Sequence, residues 1–76
     1  MSMAYAGILL ALSATLAEAK QLKEADELSL RALQLFEQLE ADVESMTRIL
    51  EVRADVLRKL NRFLDANDLT RRLEEL

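Results

Sequence analysis

Residues 22–33 read LKEADELSLRAL, and residues 63–73 read FLDANDLTRRL. Both stretches place Ala (Ala25, Ala66) three residues before Leu (Leu28, Leu69). A small hydroxyl residue follows (Ser29, Thr70), then Arg (Arg31, Arg72) and an apolar residue (Ala32, Leu73). The offset from Ala25 to Ala66 is 41 residues, and the match extends outward from it in both directions. Ile8 and Leu9 fall on Ile49 and Leu50, Ser13 on Ala54, Leu16 on Leu57, Ala19 on Leu60 and Leu22 on Phe63. Apolar matches between Leu-rich segments arise by chance. The pairing of small residues, Ser13 with Ala54 and Ala25 with Ala66, is harder to obtain and suits close helix–helix approach. A period of this size reads as a helical repeat.

The periodicity within each half is that of helices. Leu9, Leu12, Leu16 and Ala19 form one i, i+3, i+4 stripe, and Leu22, Ala25, Leu28, Ala32, Leu35 and Leu39 form a second. Met46, Ile49, Leu50, Ala54, Leu57 and Leu60 form a third, and Phe63, Ala66, Leu69, Leu73 and Leu76 a fourth. The spacing predicts helices over about 4–19, 22–41, 43–60 and 63–75. Asp42 is placed to cap the third, and Asn61 suits a left-handed residue at the last turn. Lys20 and Gln21 occupy the first turn with no such aid. With no Pro, one Gly (Gly7) and many Ala, Leu, Glu and Arg, nothing opposes an all-helical chain.

Composition narrows function. The chain has 76 residues and is one domain. It lacks Cys and His, so disulfides, Cys- or His-ligated metal and His general-base chemistry are unavailable. No Gly-rich loop cradles phosphate. Glu24, Asp26 and Glu27 sit at a helix start, where the dipole favours acid. We expect no enzyme, no cofactor and no metal. The formal charge of −4 argues against nucleic acid as partner. Residues 1–17 carry no charged side chain. The run AYAGILLALSATLA has no basic residue ahead of it, which argues against a signal peptide, and it is short for a span. A cytoplasmic location without membrane contact is the expectation.

The two halves resemble tetratricopeptide repeats, on Leu9, Leu12, Ser13, Leu16, Leu22, Ala25, Ala32 and Leu33 in the first, and Leu50, Ala54, Leu57, Asn61, Phe63, Ala66 and Leu73 in the second. The spacing exceeds the usual 34 residues and is closer to the long-helix type of kinesin light chains and bacterial multi-repeat proteins. RALQLFEQL also resembles that subgroup. The chain departs from the pattern at Arg53, where Leu12 predicts Leu, at Leu73, where Ala32 predicts a small residue, and at both turns, which lack Gly. The resemblance implies two stacked antiparallel helical hairpins, an α-solenoid fragment in one domain spanning 1–76, with repeats at 3–41 and 43–76. It further implies a protein-binding scaffold whose first helices line a concave face.

On that face the third helix would present Arg48, Glu51, Asp55, Arg58 and Lys59. These are either solvated charges or a grip for an acidic or amphipathic peptide. The first helix would present Gly7, Leu10, Ala14 and Ala17. A helix apolar nearly all round asks to be buried, and four helices cannot cover every side of a terminal one. Burying roughly 500 Å² of leftover surface is worth on the order of 12 kcal/mol gross. We therefore expect self-association, most simply a two-fold dimer, through Tyr5, Gly7, Leu10, Ala11, Ala14 and Ala17; the alternative for this helix is a neighbouring repeat of a longer array packed against it. The alternatives are an adaptor whose groove binds the peptide, or an engineered, consensus-like scaffold without a natural ligand.

Overall fold

The computed structural model describes residues 2–76. Four helices follow in order, α1 (Met3–Glu18), α2 (Leu22–Gln38), α3 (Val43–Lys59) and α4 (Phe63–Glu74). Each begins and ends within about two residues of the place expected from periodicity, apart from the end of α2. Ser2 caps α1 by accepting from the Tyr5 N–H at 3.2 Å, and Asp42 caps α3 by accepting from the Ser45 N–H at 2.8 Å. Donation by the Ser45 backbone and hydroxyl to its carboxylate holds Asp42 below its ordinary pKa.

Helices α2 and α4 have no side-chain cap, since their N-cap positions hold Gln21 and Arg62 where Ser, Thr, Asp or Asn would be needed. Lys20 and Asn61 both sit at φ 63°. The Lys20 and Gln21 N–H groups bond the carbonyls of Ala17 and Leu16, and the Asn61 and Arg62 N–H groups bond those of Arg58 and Leu57. These are the same left-handed helix terminus, 41 residues apart. Lys20 thus adopts without a favourable side chain the conformation that Asn61 was expected to take. Glu40, at φ 51°, closes α2 in the same way and cuts it short of residue 41.

The packing is sequential. α1 packs on α2, α2 on α3 and α3 on α4, with a lesser contact between α1 and α3. α4 does not pack on α1, so this is no closed four-helix bundle, in which first and last helices are neighbours. It is an all-α arrangement of stacked hairpins with α1 and α3 in one layer and α2 and α4 in the other. The Cα extents of 29 × 26 × 15 Å fit two helical layers. Small residues mark the close approaches. Ala6, Ala25, Ala32 and Ala66 are fully buried, as are Ser13 and Ser29. Both hydroxyls return to their own helix, Ser13 to the Leu9 carbonyl at 2.7 Å and Ser29 to that of Asp26 at 3.1 Å. Ile49, Leu50, Leu57, Leu33, Leu35 and Phe36 fill the centre.

The rotation of α1 differs from the expected one. Its buried residues are Ala6, Leu9, Leu10, Ser13 and Ala17, while Leu12 is 43% exposed and Ile8 63%. A helix with no charge between its ends gives periodicity no polar face to orient against. The stripe through Leu12 and the stripe through Leu10 were equally apolar. Packing chose the second, which also carries the small Ala6, Ser13 and Ala17.

Candidate functional site

Two surfaces were expected to carry function. The first is α1. Leu10 and Ala17 lie in the core, at 5% and 3% exposure, and are not available to a second molecule. Ala14 and Gly7 are half-buried, and Tyr5 and Ala11 are exposed. The open face of the helix runs instead through Ala4, Ile8, Ala11, Leu12 and Thr15, all exposed. It is flanked by Met3 and Tyr5, exposed at 41% and 40%. Of these, only Tyr5 and Ala11 were among the residues singled out. Leu12 was missed because it was assigned to the repeat's inner stripe, and Ile8 was noted only as the counterpart of Ile49.

The 41-residue offset shows what this face is. Ile8, Leu12 and Thr15 correspond to Ile49, Arg53 and Val56. In α3 those three are buried, at 0%, 8% and 0% exposure. Arg53 reaches α2. One of its guanidinium nitrogens donates to the Asp26 carboxylate at 2.8 Å, to the Asp26 carbonyl at 3.0 Å and to the Ser29 hydroxyl at 3.0 Å. The departure from the repeat pattern at Arg53 is therefore a satisfied polar clamp between α2 and α3. In α1 the corresponding face has no helix over it.

The second surface is the groove where α1 and α3 run side by side. Ala14, Ala17 and Val52 form its floor, and Glu18, Glu51, Asp55 and Lys59 its rim, around a hollow of about 260 Å³. A neighbouring hollow of about 280 Å³ continues it toward Lys20 and Leu22. Glu51, Asp55 and Lys59 are thus brought together as expected. Arg58 is not with them, since it turns to α4 and donates to the Thr70 hydroxyl at 3.1 Å. Arg48 is exposed further along α3 and does not line either hollow. Lys59 already pairs with Asp55 at 3.0 Å. Around the first hollow three carboxylates face one ammonium, so the local charge opposes an acidic peptide and reverses the preference expected from the sequence.

No helix among the described residues is long and apolar enough to cross a membrane. No protein-family model matches this chain, and neither a curated protein nor a solved structure shows significant similarity to it. Geometry therefore describes the chain as an all-α domain of four sequentially packed helices, in a helical-repeat-like arrangement, with one uncovered apolar helix face and one acid-rimmed groove.

Proposed function

We propose that the chain is a protein-interaction and assembly module of the tetratricopeptide-like kind, which self-associates through the open face of α1 and performs no chemistry of its own. One observation carries this reading. Ile8, Leu12 and Thr15 are exposed on α1, whereas their counterparts Ile49, Arg53 and Val56 are buried under a neighbouring helix. A contiguous, uncharged face of this kind marks an interaction surface.

Light scattering over a dilution series tests it, with Ile8→Glu and Leu12→Glu beside the wild type. Both sites are exposed within the chain, so neither change strikes the core, whereas the buried Leu10 is unsuitable as a probe. The expected outcome is a wild-type mass of two chains or more, reduced to one by either variant with the helical circular-dichroism spectrum retained. A wild type that stays monomeric at every concentration would sink the reading.

The groove supports a second reading, as a cleft for a peptide of cationic amphipathic type. The acid-rich rim over an apolar floor favours it. Titration with a Lys/Leu helical peptide should show affinity that falls with salt and with Glu51→Lys.

A further inference from the structure

We infer that copies of this chain add head to tail, with α1 of one laid on α4 of the next as α3 lies on α2 within the chain. This rests on the reading that α1 is the assembly surface and specifies its occupant. α2 packs on α3, and the 41-residue offset carries that contact onto α4 and the α1 of a second copy. Such a contact is heterologous. Each added copy leaves one α1 and one α4 free, so growth continues past two chains.

Both faces of this contact stand open. Arg53 of α3 meets α2 at Asp26 and Ser29. The α2 stripe through these two, with Leu22 and Leu33, is buried or half-buried throughout. Its counterparts on α4 are Phe63, Asn67, Thr70 and Glu74, all exposed except the half-buried Thr70. The α3 stripe through Met46, Ile49, Arg53 and Val56 is likewise covered, whereas Tyr5, Ile8, Leu12 and Thr15 of α1 are exposed. Asp68, Arg71 and Glu75 lie farther round α4. They correspond to Glu27, Leu30 and Gln34, which stay exposed beside α3. Those three charges of α4 therefore remain in water when α1 is added in the same way.

The occupant is selected by a change made on both faces at once. The charged group at the internal contact is Asp26, with Arg53 at 2.8 Å and Arg62 at 3.4 Å. At the free ends the same three positions hold Asn67, Leu12 and Gln21, all uncharged. Loss of charge on one face alone would leave the other to bury an ion without a partner. Here both faces are neutral at the positions that head-to-tail packing brings together. The hydroxyls differ to match. Ser29 accepts from Arg53 across the internal contact, whereas Thr70 accepts from Arg58 of its own chain at 3.1 Å. Thr70 thus needs no donor from an incoming α1, which has none to give at Leu12. Glu74 stands where α2 has Leu33. Because α2 and α3 run antiparallel, it falls toward the N-terminal turns of the incoming α1. That helix has no acidic residue in its own first turn, where the dipole favours one.

Putting the internal ion pair back into the contact between copies tests this. Leu12→Arg and Asn67→Asp are made as separate chains, at positions exposed within the chain, and each is checked for native circular dichroism. Light scattering follows the mass of the wild type, of each variant and of their equimolar mixture over a dilution series. The wild-type mass is expected to climb past two chains with concentration. Each variant alone should lose association, because it buries a charge against a neutral face. Mixing should restore it, because the new guanidinium of one chain meets the new carboxylate of the other as Arg53 meets Asp26. A wild-type mass that levels off at two chains would overturn the inference and leave assembly through α1 standing. So would an Asn67→Asp chain that associates like the wild type while Leu12→Arg does not, the pattern of α1 packed on α1. Loss in both variants with no recovery on mixing would also overturn it. A wild type that is monomeric at every concentration would overturn both this inference and the reading it rests on.

Discussion

Arg53 shows how one residue can break a sequence pattern and strengthen the packing. It is 8% exposed, yet each bond its buried nitrogen makes is to a fixed group of α2. Asp26 is partly open to solvent and has a second partner in Arg62 at 3.4 Å. Loss of Arg53 therefore strands less charge than in a fully enclosed pair. Arg53→Ala is expected to lower stability by about 3 kcal/mol, at the low side of broken buried pairs. The double change Arg53→Leu with Asp26→Leu removes both charges together and should recover to within about 1 kcal/mol of wild type. Urea unfolding of Arg53→Leu, Asp26→Leu and the double measures this, and additive losses would show that the clamp is not a unit.

At the scale of elements, the three helix ends at Lys20, Glu40 and Asn61 share one left-handed geometry, and two of them fill it with a residue unsuited to it. Lys20→Gly and Glu40→Gly should each raise stability by about 0.5–1 kcal/mol, and Asn61→Gly by less, since Asn already tolerates that region. Thermal midpoints at fixed protein concentration check the order. The start of α3 depends on an ionised Asp42. Its folded pKa lies below the unfolded value, so its contribution is present above the ordinary carboxylate range and fades as pH falls through the depressed value. Asp42→Asn should therefore flatten the acid limb of the stability curve, below about pH 4, relative to wild type. An unchanged acid limb would show that the cap does not couple to folding. That Asp42 and Asn61 would act in these places was readable from local chemistry. Glu40 was not, because no side-chain preference announces a left-handed Glu. The turn there is imposed by the need to bring α3 back onto α2.

For the whole molecule, stability is tied to concentration if α1 is an assembly surface. The thermal midpoint of the wild type should rise over a hundredfold increase in protein concentration, while that of Ile8→Glu stays constant. Differential scanning calorimetry at several concentrations reads this directly, and a wild-type midpoint independent of concentration would count against assembly. The sequence by itself determined the helical class, the four elements, the 41-residue offset and the small residues at the crossings. These follow from propensity, periodicity and steric size, which act along the chain. It also marked α1 as the uncharged helix. The tertiary structure alone decided which side of α1 faces out, because a helix with no polar face carries no rotational signal until neighbours pack against it. The same packing moved Leu10 and Ala17 into the core, left Ile8 and Leu12 outside, drew Arg58 away from the groove to Thr70, and gave Arg53 its partners on α2. Each of those outcomes depends on distances between helices, and no spacing within one helix contains them.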